Sequence, residues 1–340
     1  MRCLALAHGL REAGSEVSFA CREAEGDLND LIGAQGFRVH RLPRMASGDV
    51  DPSIDAAQTL AALEAGASFD WLIVDHYRLN ANWEGRARSV CDKLMVIDDL
   101  ADRRHDCDLL LDQNYCDGMD GRYRGLVATK CRQLSGPDFA LLRTEFLKAK
   151  AGARQRNGEL KRMLVFFGGS DPTDETSKAL KGIAQLGRGD IAVDVVVGSS
   201  NPQRHAVQTL CRSMQNVVGH VQVSNMAELM AQSDLAIGGG GVTTWERCCL
   251  GLPALVAILA ENQAPLTKAV DAYGAIENLG WADRLNAADY CSAIEKLTPS
   301  RLLDMGHRGA TLVDGRGCER VVREMQSLLA SKTDHFQDRT

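Results

Sequence analysis

The chain has 340 residues, of which 45% are hydrophobic, 25% are charged and 5% are aromatic. This length predicts two domains of ordinary size, and the composition is that of a globular protein. The net charge of -6 argues against a nucleic-acid surface, and no apolar stretch approaches the roughly 20 residues that cross a bilayer. We therefore expect a cytoplasmic protein that binds neither nucleic acid nor a membrane.

Short apolar runs alternate with helical stretches along the chain. Runs such as LIVD and VVV are apolar throughout, which is typical of parallel strands covered on both faces. The alternation of strands and helices in each half predicts two Rossmann-like, doubly wound α/β domains. The expected strands are 16–21, 38–42, 71–75, 94–98, 109–112, 163–167, 192–197, 217–218, 235–237 and 254–259.

The domain division follows from composition. The stretch from Lys148 to Arg162 is charged and lacks large apolar side chains, which suits an interdomain linker. We expect an N-terminal domain over 1–150, a nucleotide-binding domain over 151–330 and a polar tail over 331–340. The opening residues predict a helix that ends at Gly14, and a helix in such a sheet follows a strand. The first strand of the N-terminal domain is therefore expected to be missing.

The eleven cysteines form no CxxC pair and have no matching histidine spacing. This pattern favours reduced, mostly buried thiols over disulfides or a metal site. Nothing in the sequence implies a cofactor.

The strongest functional signal is the stretch GGGGVTTWERCCLGLP, residues 238–253. A strand is expected to end at Ile237, before the glycines, and a helix to begin at Thr243 or Thr244. Glycines allow close backbone approach and helix N-terminal amides bind anions, so the pattern predicts a diphosphate site, with a simple tight turn as the alternative. Glu246 in the first helical turn is either a ribose ligand or a partner of the helix dipole.

Two further polar loops follow strands in the same half, in FFGGSDP and VVVGSSNP. The carboxyl ends of parallel strands meet at one edge, so all three loops should converge on one cleft. None of them matches the GxxxxGK[ST] or GxGxxG pattern, which disfavours ATP hydrolysis of that type and nicotinamide chemistry.

Other polar groups follow further strands. Asn262 and Gln263 are amides that read a sugar or orient a water, although Asn262 also suits a helix cap. In the first half, the run LIVDHY places His76 and Tyr77 at the end of a strand. His76 is the histidine best placed for general-base chemistry.

With these motifs the chain resembles the UDP-sugar hydrolases of pseudaminic acid biosynthesis. The resemblance covers nearly the whole chain, and its most specific stretches are GPDFALLRTEF and TTWERCCLGLP, with DWLIVDHY, VIDDLADRRHDCDLLLDQN, FFGGSDP and AENQ beside them. That family releases UDP from UDP-2,4-diacetamido-2,4,6-trideoxy-β-L-altropyranose in a pathway linked to flagellin glycosylation. It has the two-domain GT-B architecture with an interdomain cleft, and is similar to the lipid II-forming transferase.

The resemblance also implies site residues. It places Asn262 and Tyr77 near the reacting sugar, and Arg143 as a substrate or interdomain contact. Nothing in the sequence requires a metal. The residues implied to hold the UDP-sugar are Gly168, Gly169, Ser170, Asp171, Ser199, Ser200, Asn201, Gly239, Gly240, Gly241, Thr243, Thr244 and Glu246.

The chain departs from the family pattern at its first residues. Family members begin with a strand and a loop of the form IGxGHxxRC, whose histidine is the general base. This sequence starts at MRC, so that histidine would lie upstream of Met1 and His76 is no safe substitute. Either the start site was assigned too late or the chain is a shortened homologue.

The reaction implied by the resemblance is hydrolysis of a UDP-sugar to UDP and free sugar. A GT-B glycosyltransferase that uses an acceptor, and a non-catalytic UDP-sugar binding protein, are the alternatives. The sequence leaves the oligomeric state open.

Overall fold

The computed structural model describes residues 1–45, 50–63, 66, 68–116 and 118–337. The chain divides into two compact units. The first unit comprises Met1–Asn114, Gly118–Leu141 and Arg316–Thr340, and the second comprises Tyr115–Asp117 and Leu142–Gly315.

The first unit contains two parallel sheets. Strands β1 (Ser18–Arg22) and β2 (Arg38–Leu42) pair with each other. A second sheet has the order β3-β4-β5-β6, formed by β3 (Phe69–Asp75), β4 (Cys91–Ile97), β5 (Leu109–Asp112) and β6 (Arg132–Ser135). Helix α1 (Arg2–Glu12) precedes β1, and the helices between the strands are α2 (Asn29–Ala34), α3 (Pro52–Ala62) and α4 (Ala81–Ala87).

The second unit is built on one six-stranded parallel sheet. Its strands are β7 (Arg162–Phe166), β8 (Ala192–Val197), β9 (Val217–Val221), β10 (Leu235–Gly239), β11 (Ala254–Ile258) and β12 (Glu277–Trp281). Its helices are α5 (Thr144–Ala151), α6 (Glu175–Gln185), α7 (Arg204–Ser213), α8 (Met226–Gln232), α9 (Thr243–Cys249), α10 (Ala264–Tyr273), α11 (Ala287–Glu295) and α12 (Pro299–Leu312). The apolar faces of β7, β8, β10 and β11 are buried in one core with residues of α6, α7, α11 and α12.

The strand order of this sheet is β12-β11-β10-β7-β8-β9. The chain winds outward from β7 to β9, then returns to the other side of β7 and winds outward from β10 to β12. The direction of winding therefore reverses between β7 and β10. In doubly wound sheets, ligands bind at the carboxyl ends of the two strands that flank such a reversal.

The last helix, α13 (Gly317–Gln337), belongs to the first unit although the second unit precedes it in the chain. Its residues Val321, Val322 and Met325 share a buried cluster with Leu6 and Leu10 of α1. The apolar face of α1 is thus covered by the far end of the sequence.

The α/β class with two Rossmann-like domains is confirmed, and so are the ten expected strands, each within a few residues of its predicted bounds. The sequence reasoning missed β6 and β12. Both lie at sheet edges, where polar residues such as those of RQLS and ENLGW are tolerated.

The expected domain boundaries need three changes. The second unit begins at Leu142, α5 belongs to it, and α13 returns to the first unit. The segment expected to be a linker lies inside the second unit, where Arg156 donates hydrogen bonds to four backbone carbonyl oxygens, of Met230, Ser233, Leu250 and Gly251. The tail expected from residue 331 is helical to Gln337, and residues 338–340 lie outside the described residues.

Every cysteine is a free thiol. Among the described residues, no helix combines the length and the apolar character needed to cross a bilayer.

Candidate functional site

The candidate site lies at the carboxyl ends of β7 and β10, where the winding of the second sheet reverses. Gly238 of β10 pairs with Phe166 of β7, so the loops that follow these strands begin side by side. These are the loop from Phe167 to Asp174, called here the β7 loop, and the glycine run Gly238–Gly241 with Val242.

The glycine run is packed more tightly than the sequence suggested. Strand β10 extends through Gly239, beyond the expected end at Ile237. A β-carbon on Gly239 would lie 2.6 Å from Cδ1 of Leu259, and one on Gly238 would lie 2.8 Å from Nη1 of Arg247. A β-carbon on Gly240 would overlap Oγ1 of Thr267. These three glycines are therefore required by their own neighbours, whatever binds above them.

Gly241 differs from the three glycines before it. It is half-buried, and the nearest atom to a β-carbon built there is Nε2 of Gln263, at 3.8 Å. The open space of the glycine run is thus at Gly241. Val242 follows it and is exposed, and α9 begins at Thr243, as predicted.

The β7 loop and the loop after β8 contact each other. Ser200 donates a hydrogen bond of 3.3 Å to the carbonyl oxygen of Gly169, and a β-carbon on Gly198 would overlap the backbone of Gly169. Gly168 has φ +92°, a conformation that favours glycine. Ser170, Ser199 and Ser200 are exposed. Two of the three predicted loops are therefore in direct contact, with hydroxyl groups at the surface.

Asp171 is buried, and its carboxylate is fully engaged at the start of α6. It accepts hydrogen bonds from the backbone amides of Glu175 and Thr176, both 2.9 Å, and from Oγ1 of Thr176 at 2.6 Å. Asn201 is also buried, and its Oδ1 accepts from the amide of Gln203. Both side chains, predicted to hold substrate, form hydrogen bonds at the starts of helices beside the loops.

Thr244 and Glu246 were predicted to hold the UDP-sugar, and both form contacts beneath the glycine run. Thr244 is buried, and its Oγ1 accepts a hydrogen bond of 3.1 Å from Arg247. Glu246 is almost buried, and its Oε1 lies 3.5 Å from Nη2 of Arg143. Burial raises the pKa of Glu246, and the guanidinium of Arg143 lowers it in part. The structure thus brings Arg143 and Glu246 together, a pairing that the sequence did not indicate.

Two residues outside the set implied to hold the UDP-sugar lie at the glycine run, namely Gln263, which the sequence indicated as a sugar-reading or water-orienting amide, and Arg247. The Oε1 of Gln263 accepts a hydrogen bond of 3.1 Å from the amide of Leu259, which leaves its Nε2 facing Gly241. Arg247 is buried against Gly238 and Gly239. The sequence offered a weak signal for Arg247, since this charged residue lies in a short helix beside Trp245, Cys248 and Cys249 and directly after the glycine run.

Three further predicted residues, Asn262, Tyr77 and His76, follow other strands. Asn262 is exposed in a short turn that precedes α10 of the second unit. Tyr77 follows β3 in the first unit, with 48% of its surface exposed. His76 accepts a hydrogen bond at Nδ1 from the amide of Arg78, and burial lowers its pKa.

Residues 163–278 match the glycosyltransferase family 28 C-terminal domain. The chain is 31% identical to the spore coat polysaccharide biosynthesis protein SpsG of Bacillus subtilis, over 62% of each chain, which is less than two thirds of that relative's length. It is 29% identical to the UDP-2,4-diacetamido-2,4,6-trideoxy-beta-L-altropyranose hydrolase of Campylobacter jejuni, over 66% of this chain and 74% of that enzyme.

Solved structures resemble nearly the whole chain. MurG of Acinetobacter baumannii superposes with a TM-score of 0.65 at 14% identity, covering 96% of this chain and 95% of MurG. The UDP-GlcNAc 2-epimerase of Neisseria meningitidis, bound to UDP-GlcNAc, has a TM-score of 0.64 at 13% identity, covering 96% of this chain and 98% of the epimerase. The chain therefore has the GT-B fold, and its second unit carries the region that matches the glycosyltransferase family 28 C-terminal domain.

Proposed function

We propose that the chain is a UDP-sugar hydrolase that binds UDP on its second unit. The observation that carries the proposal is the position of the glycine run and the β7 loop, on the two strands that flank the winding reversal of a parallel sheet. The space open at Gly241 and the exposed hydroxyl of Ser170 give that position room and polar groups for a diphosphate.

The binding groups assigned by this proposal are backbone amides and small side chains. Gly168, Gly169 and Ser170 of the β7 loop, with Ser199 and Ser200 beside them, contact the diphosphate. Gly239, Gly240, Gly241 and Thr243 form the opposite wall of this subsite. Asp171, Asn201 and Thr244 support these loops from within, and Glu246, held by Arg143, faces the nucleoside.

The substrate assignment rests on the relatives. The Campylobacter relative is a hydrolase of UDP-2,4-diacetamido-2,4,6-trideoxy-beta-L-altropyranose, and the Neisseria structure holds UDP-GlcNAc. In the proposed reaction, water attacks the anomeric carbon and the bond from that carbon to the phosphate oxygen breaks. UDP leaves with the electron pair, and the proton lost by water goes to solvent. Asn262 of the second unit is proposed to act near the reacting sugar.

Transfer to an acceptor is the second candidate, favoured by the match of residues 163–278 to a glycosyltransferase domain. The two reactions differ in whether water alone suffices as the acceptor. A protein that binds UDP-sugar without turnover is the third outcome.

The test has a binding step and a turnover step. Calorimetry with UDP measures affinity for the wild-type chain, for Gly241→Val and for Gly152→Val. Gly152 is a matched control, because it is exposed, has open space around its Cα and lies in the same unit. We expect Gly241→Val to bind UDP at least tenfold more weakly, a loss of about 1.4 kcal/mol, and Gly152→Val to keep the wild-type affinity.

Turnover is measured as UDP released from the altropyranose nucleotide in the absence of any acceptor. UDP release with ¹⁸O from labelled water in the free sugar supports hydrolysis. Release that requires an added acceptor supports transfer. A wild-type chain that does not bind UDP refutes the proposal as a whole.

A further inference from the structure

Arg247 is a charged side chain buried beneath the glycine run. It lies on α9, 2% exposed, between the buried residues Glu246 and Cys248. Arginine is rarely buried to this degree without a partner of opposite charge, because its transfer out of water is costly. Its position therefore calls for a compensating interaction.

The guanidinium of Arg247 is directed at the backbone of the glycine run. Its Nη2 donates to the carbonyl oxygen of Gly239 at 2.8 Å and to Oγ1 of Thr244 at 3.1 Å. Its Nη1 lies so close to Gly238 that a β-carbon there would be 2.8 Å away. The side chain thus ties the end of β10 to the first turn of α9.

These contacts do not neutralise the charge. Among the described residues, no carboxylate forms an ion pair with Arg247, and its Nε is buried without a hydrogen-bond partner. The adjacent carboxylate of Glu246 pairs with Arg143 instead. Burial lowers the pKa of Arg247 to about 10, so the side chain is still a cation at neutral pH. The described residues thus hold a positive charge under the glycine run without a direct ion-pair partner, and the nearby carboxylate of Glu246 opposes that charge only in part.

We propose that Arg247 is a positioning residue for the diphosphate of a nucleoside diphosphate sugar, acting through the Gly239–Gly240 peptide and through its buried charge. The proposal rests on the proposed function of the site. It adds to the site a residue that does not touch the ligand. This residue makes the site bind ligands with more phosphate charge more tightly than ligands with less.

The peptide geometry explains the first part of this role. The described peptide bonds contain no cis bond, so the N–H of Gly240 points away from the carbonyl of Gly239. Because Arg247 holds that carbonyl, it also fixes the direction of the next amide. The charge supplies the second part, since Coulomb attraction weakens slowly with distance where water is excluded.

The test compares ligands that share the nucleoside and differ in the number of phosphate groups, and therefore in charge. Calorimetry measures the affinities of UDP, UMP and uridine for the wild type, Arg247→Met and Arg247→Lys, with Arg188→Met as a control. Arg188 lies in the same unit, exposed and paired with Asp190. Thermal unfolding and circular dichroism confirm the fold of each variant.

We expect Arg247→Met to lose about tenfold or more in UDP affinity, less for UMP, and little for uridine. Arg247→Lys should recover most of the UDP affinity because it keeps the charge. Equal losses for UDP and uridine, or no loss for UDP, would overturn the proposal.

A second variant keeps the test decisive if Arg247→Met does not fold. Thr244→Val removes one acceptor of Arg247 and keeps its charge, so we expect faster amide hydrogen exchange at Gly240 with UDP affinity lowered by less than about threefold. Unchanged exchange at Gly240 in both Thr244→Val and Arg247→Lys would refute the positioning role. If the wild type binds no UDP, the proposed function fails, whereas this exchange measurement still reports whether Arg247 orders the glycine run.

Discussion

The carboxylate of Asp171 accepts three hydrogen bonds at the start of α6, two of them from the amide and the hydroxyl of Thr176. Asp171 has φ +39° and is 1% exposed, so the turn of the β7 loop brings it beneath the loop surface. A residue that the sequence suggested as a ligand is thus the group that orders the loop.

Replacing Asp171 by alanine should therefore reduce stability first. Loss of a helix cap costs about 1–2 kcal/mol, and the buried amides of Glu175 and Thr176 would lose their partner. Denaturant unfolding measures this cost. Asp174→Ala is the control, because Asp174 makes no side-chain hydrogen bond to the helix start. Equal stability of the two variants would contradict the capping role.

Within the glycine run, Gly240 should not tolerate substitution by alanine, whereas the adjacent Gly241 should. Gly240→Ala forces a β-carbon against Thr267, and overpacking of this kind costs roughly 1–3 kcal/mol. Gly241→Ala should change stability by less than about 0.5 kcal/mol. Adding Thr267→Ala to Gly240→Ala should recover part of the loss, since the Thr267 hydroxyl is buried without a partner among the described residues. Thermal unfolding of the three variants tests this, and no recovery in the double variant would count against it.

Arg156 should contribute far more to stability than its charged segment suggests. It donates to four carbonyl oxygens at the ends of α8 and α9, and Arg156→Met would leave them without this donor. We expect a loss of about 2–4 kcal/mol in the free energy of unfolding. The exposed Arg188→Met should lose less than about 0.5 kcal/mol. Similar losses in both variants would show that the Arg156 contacts contribute little.

His105 should make the first unit sensitive to alkaline pH. Its Nδ1 lies 2.7 Å from Glu84, its Nε2 lies 3.8 Å from Asp98, and all three side chains are buried. These carboxylates raise the pKa of His105 to about 9, against the usual 6.5. The folded state therefore holds a proton that the unfolded state releases. The resulting stability is complete below about pH 6.5 and is lost as the pH rises through 9.

Unfolding by denaturant between pH 6 and 10 measures this dependence for the wild type and for His105→Gln. At pH 6, His105→Gln should be less stable than the wild type. Its free energy of unfolding should also fall less steeply as the pH rises. His205→Gln, at an exposed histidine of the second unit, should keep the wild-type profile. A variant profile parallel to the wild type would remove His105 as the cause.

The sequence predicted the parts of the fold that depend on local pattern. Apolar runs such as 109–112 and 192–197 coincide with β5 and β8, because strands covered on both faces admit few polar residues. The alternation of elements also predicted convergence of the β7 loop and the loop after β8, which the contact of Ser200 with Gly169 shows. Edge strand β12 was missed, since its residues ENLGW carry no continuous apolar signal.

The direction in which individual side chains point could not be predicted from the sequence. Whether Asp171 faces a ligand or its own helix depends on the turn of the β7 loop, in which Asp171 has φ +39°. Whether Arg247 reaches solvent depends on which elements cover α9, a helix with six buried residues out of seven. Likewise, Lys148 to Arg162 has the composition of a linker, and only the carbonyl groups around Arg156 show that it is part of a domain.

The covering of α1 by α13 has a consequence for the order of events during synthesis. Leu6 and Leu10 leave the ribosome before the main segment of the second unit, whereas Val321, Val322 and Met325, which share their buried cluster, leave it afterwards. The second unit is contained between these two ends and has its complete core earlier. The first unit therefore keeps the apolar face of α1 exposed while the second unit folds. We expect chaperones to bind this part of the nascent chain for longest.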